Sequence, residues 1–259
     1  PECTAPYTAP GLKSTQALPE FYQGATADYV KVDGKWVDGM AQDNMLTALQ
    51  NLQDAYTAGL IDQEAITNTT SSCRDEWYAG TVGCFPYWGG LWGETLTVRL
   101  KQNVPDAEVI ALPPIEGATY LYSAPSVQVI SSKLSDEQVA SVYKYFIEYM
   151  HDGGEGQVLF QSGVEGVHWQ QSGNNIDPLP TISKPAEAFR KAWITPWLAL
   201  TPMTATDKNV EVSQEVTDSL AVVSANAKNI SVFPVSEQRT MITSDLTTTR
   251  ENIISRVAM

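Results

Sequence analysis

Apolar residues recur at helical spacing along several stretches of the chain. Between residues 43 and 58, Met45, Leu49, Leu52 and Tyr56 lie four, three and four apart, and Gly59 follows where a left-handed residue closes a helix. The spacing predicts a helix there. A shorter helix is expected over 71–79, ended by Gly80 and followed by a strand-like run at 81–88. WGGLWGE at 88–94 then opens a helical stretch to about residue 103. The most pronounced amphipathic pattern lies at 135–150. Ser135 and Gln138 make a capping box, Val139, Val142, Tyr143, Phe146, Ile147 and Met150 form the apolar face, and Gly153 with Gly154 closes it. Further helices are predicted over 155–162, 185–193, 210–227 and 236–257, and strands over 107–112 and 126–130. Residues 1–39 lack helical period and read as loops and short turns ending in a hairpin-like stretch at 32–36. A polar loop is expected over 170–184. Short strands among longer helices predict an α/β fold with α+β character.

Composition narrows the partners. With 259 residues the chain makes one large domain or two small ones, and 43% hydrophobic content is enough to bury a core. Sixteen Lys and Arg against thirty Asp and Glu leave a formal charge of −14. A field of that sign repels phosphate backbones and anionic lipid surfaces, so neither nucleic acid nor a membrane surface is an expected partner. No apolar run approaches the roughly 18 residues of a membrane span. Pro1 opens the sequence without a targeting segment, and the helical pattern at 244–259 stops without a cap. Both features read as a piece of a longer protein.

Catalytic and metal chemistry find little support. No CxxC, HExxH, GxSxG or GxxxxGK[ST] occurs; QSGVEG around Ser162 lacks the glycine two residues before the serine. His151 ends an amphipathic helix beside Asp152, where a cation interacts well with the helix dipole. His168, between Val167 and Trp169, reads as a structural histidine or a ligand contact. Cys73 and Cys84 are spaced to bridge a ten-residue loop, with Cys3 left over, but three scattered cysteines fit small buried thiols better. No metal or other cofactor is expected.

The aromatic residues carry more signal. Seven tryptophans and eleven tyrosines cluster as Tyr87, Trp88 and Trp92, as His168 with Trp169, and as Trp193 with Trp197. An indole face suits a sugar, whose C–H groups stack on it while its hydroxyls find polar partners at the edge. YWGGLWG sets two indoles in a glycine-rich turn, where little else covers a ring. For each of these aromatics ordinary core packing is the commoner role, yet their clustering favours a ligand pocket without fixing one.

Several motifs in order resemble a known family. DGKW at 33–36, AGLIDQE at 58–64, YAGTVG at 78–83, a P-x-A at 105–107 with ALPPIEG at 111–117, and GVEGVHW at 163–169 are similar to segments of extracellular solute-binding proteins of ABC transporters. The subgroup is family 1, the sugar-type proteins close to the LplA lipoproteins of Gram-positive surfaces. The resemblance covers roughly residues 30–170.

That resemblance implies a periplasmic-binding-protein-like II fold, in which two α/β lobes close on a sugar or oligosaccharide. Residues 1–259 correspond to a C-terminal-lobe fragment, with 1–39 irregular and 40–259 the α/β lobe; the N-terminal lobe, signal segment and last helices are not part of it. It implies a monomeric, non-catalytic substrate-binding component. The partners are a carbohydrate ligand and a membrane ABC permease, and the parent is a cell-surface lipoprotein whose lipidated cysteine is not Cys3. Ligand-binding residues expected on this basis are Tyr87, Trp88, Trp92, Glu94 and Trp169. With one half of the cleft missing, weak binding by this chain alone is expected. Two other readings stand beside it: a structural or adhesive surface domain in which the aromatics are all core, and a glycoside hydrolase using two carboxylates.

Overall fold

The hairpin-like stretch is a hairpin. Tyr29–Val32 (β2) pairs antiparallel with Lys35–Asp38 (β3), and Val32 faces Lys35 across a two-residue turn. Asp33 and Gly34 both take positive φ, 49° and 79°, the conformation whose twist matches the flanking strands. The computed structural model describes residues 2–13, 17–113, 120–121, 129–179, 203–228 and 234–259. Before the hairpin come Ala5–Tyr7 (β1) and a short helix, Pro19–Tyr22 (α1). After it a 3-10 turn, Gly39–Ala41, leads into Asp43–Thr57 (α2). Thr70–Ala79 (α3), Val82–Cys84 (β4), Leu91–Asn103 (α4) and Tyr120–Leu121 (β5) come next.

Asp136–Val142 (α5) widens into a π turn at Tyr143–Glu148, then come Glu155–Ser162 (α6), Trp169–Ser172 (β6) and Asn175–Pro178 (β7). The last described elements are Gln214–Asn226 (α7), Ala227–Lys228 (β8) and Glu237–Ala258 (α8). Strands pair in twos among the described residues: β1 with β4 and β5 with β8 in parallel, β2 with β3 and β6 with β7 antiparallel. No described helix is long and apolar enough to cross a membrane.

Contacts group the chain into two compact units, Pro1–Tyr122 with Glu215–Met259, and Ser123–Gln214. The first holds the main core. Met45, Ala48, Leu52 and Ala55 on α2 meet Leu18 and Tyr22 of the α1 region and Ile254 and Ala258 of α8. Seven of the fifteen buried residues in this cluster are alanines, and of these Ala48 and Ala55 on α2 and Ala258 on α8 let those two helices approach closely. Tyr22 donates its hydroxyl to Leu12 O at 2.7 Å, and burial pushes that phenol well above its ordinary range. The second unit has a smaller cluster of Val158, Trp169 and Ile176.

Helix positions track the apolar period closely, and Gly59 and Gly80 take the left-handed conformation expected of them. Three expectations turn out differently. The face at 135–150 keeps its Ser135–Gln138 capping box and passes into a π turn, but it is not buried along its length: no residue of α5 is buried and Val142 is 37% exposed. Met150 is buried, while Tyr143 and Phe146 are 57% and 49% exposed. The polar loop begins instead as the β6–β7 hairpin, turning at Gly173 and Asn174. Residues 107–113 form no ladder with the described residues, and Ile110 stays exposed. The strand expected at 126–130 and the helix at 185–193 fall wholly or mostly outside the described residues, as do Trp193, Trp197 and the second half of ALPPIEG.

Candidate functional site

Helix α3 is set by its ends. Thr69 Oγ1 accepts from the Ser72 N–H and Ser72 Oγ from the Thr69 N–H, a reciprocal cap, and Gly80 closes the other end at φ 73°. This orientation carries Arg74, Trp77 and Tyr78 toward α4. Trp77 donates its indole N–H to Leu96 O at 3.2 Å, and Asn103 donates to Tyr78 O at 2.8 Å.

Between β4 and α4 the chain builds an aromatic ladder. Trp77 and Phe85 have centroids 6.3 Å apart, Phe85 stacks on Tyr87 at 5.0 Å, and Tyr87 meets Trp92 edge-on at 4.9 Å. The guanidinium of Arg74 lies 5.3 Å from the Trp92 ring centroid. Trp92 is thus enclosed, with 9% of its surface exposed, and Tyr87 is half-buried. Trp88 differs: 60% of its surface faces solvent. The turn that presents it is fixed from behind. Gly90, at φ 71° and ψ −133°, donates its N–H to Ser219 Oγ on α7 at 3.0 Å. A Cβ on Gly89 would lie 3.4 Å from Val223, and one on Gly93 3.3 Å from the Glu215 carbonyl oxygen. The glycines of WGGLWG therefore let α7 approach the backbone, and that approach turns Trp88 outward. Glu94 is half-buried in the first turn of α4, where a carboxylate also favours the helix dipole.

Trp169 lies in the second unit and is buried at 3% exposure. Its indole N–H donates to Gly163 O at 2.9 Å, and His168 Nδ1 accepts from the Val164 N–H at 2.9 Å. A Cβ on Gly163 would meet the His168 ring at 2.6 Å. GVEGVHW is thus a loop tied to itself, with Glu165 exposed. The same unit holds a groove of about 450 Å³ lined by Lys144, Tyr145, Glu148, Tyr149 and Asp152.

The structure therefore brings Tyr87, Trp88, Trp92 and Glu94 into one neighbourhood and describes Trp169 in another unit. Arg74, Trp77, Tyr78 and Phe85 belong to the same neighbourhood and were not singled out from sequence. Helical spacing was the available signal, since residues 74, 77 and 78 share one face of α3. Cys3, Cys73 and Cys84 are all free thiols, the first exposed and the second buried. Among the described residues, no three His, Cys, Asp or Glu side chains are placed to hold a metal ion.

No protein-family model and no curated protein matches the chain. A solved structure that does resemble it is the crystal structure of alginate-binding protein AlgQ2 without calcium ion, with a TM-score of 0.59 at 14% sequence identity. The likeness covers 99% of this chain and 57% of that one, so the chain spans little more than half of its neighbour's length. At that identity the shared property is the fold alone: this mixed helix-and-strand chain matches a periplasmic-binding-protein-like fold.

Proposed function

We propose that the chain is the saccharide-binding component of an ABC importer and carries out no catalysis. The observation that carries this reading is Trp88, a 60% exposed indole on a turn held rigid by the Gly90–Ser219 hydrogen bond. A pyranose ring stacks its C–H face on such an indole, which costs little ordering because the turn is already fixed. Tyr87 and Glu94 then supply hydrogen-bonding groups at the ring's edge, and Trp92 backs Tyr87 from below. Trp169 serves by fixing the GVEGVHW loop of its own unit. A fold shared with a protein named for binding alginate supports a carbohydrate as the ligand class.

In this reading the chain is part of a two-lobed, monomeric receptor on the cell surface. A lipidated cysteine other than Cys3 anchors it, and a membrane permease receives its ligand. Ligand binding favours the closed form that the permease recognises. Titration calorimetry with a saccharide panel tests it. Binding that Trp88→Ala abolishes, with the circular dichroism spectrum unchanged, is the expected result. Equal affinity in the variant would remove Trp88 from the site, and hydrolysis of a panel member would replace the receptor reading with an enzyme.

A further inference from the structure

Helix α4 begins without the side chains that usually close a helix start. Its N-cap is Gly90, which has no side-chain oxygen to offer. Three residues on, where a Glu or Gln would reach back to the N-cap N–H, stands Gly93. Gly90 is buried, so its N–H is shielded from water as well. The partner comes from another helix. Ser219 Oγ accepts the Gly90 N–H at 3.0 Å and donates its own hydrogen to Val216 O at 3.0 Å. Val216 is fully buried, which fixes that end of the relay. Ser219 therefore supplies from α7 the half of a capping box that Gly93 leaves out.

Place along the chain gives this bond its consequence. Trp88 lies two residues before Gly90, and Glu94 lies four residues after it in the first turn of α4. The indole and the carboxylate leave the cap on opposite sides, so φ 71° and ψ −133° at Gly90 set how they stand to one another. Glycine alone does not hold one conformation. The Gly93 N–H bond to Gly90 O at 2.8 Å fixes the helical side of the cap, and the Ser219 hydroxyl fixes the side that leads back to Trp88.

Stacking on an indole asks only for a C–H face, which epimeric sugars largely share. Telling epimers apart takes a hydrogen-bonding group at a set place beside that face, because an inverted hydroxyl then misses its acceptor. We infer that Ser219 is a specificity-determining positioning residue. By holding Gly90 it fixes Glu94 relative to Trp88, and so decides which hydroxyl configuration the site accepts. The inference rests on the saccharide reading given above and adds to it a residue that sets selectivity without touching the ligand.

The test is calorimetric titration of the 259-residue chain with the β-linked tetrasaccharides of glucose, mannose and galactose, whose rings differ in hydroxyl configuration. Wild type is expected to prefer one of them. Ser219→Ala, with its circular dichroism spectrum unchanged, should weaken that one about tenfold and the others less than about twofold, so that the ranking flattens. Ser219→Thr keeps the oxygen and should keep the ranking. Arg250→Ala, a destabilising change that acts on the β2–β3 hairpin, should keep it too. Should Ser219→Ala not fold, Ser219→Cys, with a weaker acceptor, takes its place under the same criteria. An unchanged ranking in Ser219→Ala, or the same flattening in Ser219→Thr or Arg250→Ala, overturns the inference and leaves the saccharide reading standing. Wild-type protein that binds all three alike, or none of them, overturns it too. The saccharide reading falls with it only when the wider saccharide panel also fails to bind.

Discussion

Asp38 and Arg250 meet at 2.7 Å across 212 positions of sequence, joining the β2–β3 hairpin to α8. Asp38 Oδ1 also accepts from the Met40 N–H at 3.0 Å, so one carboxylate oxygen starts the 3-10 turn and holds the last helix. The guanidinium lies 5.2 Å from the Tyr29 ring centroid, and Arg250 is 9% exposed. Arg250→Ala leaves Asp38 without this partner and removes packing from Tyr29. With the Asp38 side chain partly open to water, the expected cost is about 1–3 kcal/mol. Urea denaturation followed by tryptophan fluorescence measures it, and Asp38→Asn in the Arg250→Ala background should cost less than it does alone.

Gly90 occupies a backbone region that side chains avoid. Gly90→Ala should destabilise by about 1–3 kcal/mol and disturb the turn that presents Trp88. Thermal unfolding reads the first effect. Acrylamide quenching reads the second, because a displaced Trp88 changes the most accessible fraction of the emission.

Asp152 accepts backbone N–H bonds from Gly154, Gly156 and Gln157 at 2.7, 3.0 and 3.0 Å, capping the start of α6. Burial pushes its carboxyl up, but the three hydrogen bonds outweigh that and hold it below its ordinary value. A folded-state value lowered in this way gives stability that is complete above the unfolded carboxyl's value, near 3.9, and is lost as pH falls through the folded one. Wild type should therefore exceed Asp152→Asn in stability at neutral pH, with the gap closing below about pH 4. A gap independent of pH between 3 and 7 would remove the carboxylate charge from the account.

The thiols should separate by accessibility. Burial pushes Cys84 up to about 11 and raises Cys73 as well, so little thiolate exists at either near neutrality. Cys3 is exposed. Ellman's reagent at pH 8 should titrate one thiol quickly in the folded chain and all three after denaturation. Two fast thiols, or fewer than three in denatured and unreduced protein, would contradict the free, buried arrangement.

Periodicity made α2, α4, α6 and α8 legible, because each buries a stripe that recurs at helical spacing. It misled at 135–150, where the apolar face is left uncovered by the described residues even before the π turn at YKYFIE begins. The β6–β7 hairpin had a signal, Gly173-Asn174 between short flanks, that polarity obscured. At the candidate site, composition identified the aromatics without sorting them. Trp88 and Trp92 sit in the same seven residues, yet one faces water and the other is enclosed by Tyr87 and Arg74. That difference depends on where α3 and α7 lie, which spacing along one segment does not encode. The glycines between the two tryptophans were readable as a turn, and their second use, admitting α7, was not.

The alanine-rich core of the first unit constrains how this sequence can change. Ala9, Ala17, Ala25, Ala48, Ala55, Ala65 and Ala258 are all buried in one cluster. Each added methyl or methylene group must push backbones apart, at roughly 1–3 kcal/mol per site. Relatives of this chain should therefore keep glycine, alanine or serine at these seven positions even where their surfaces and ligands diverge, and a search keyed to small residues at this spacing would find kin that overall identity misses.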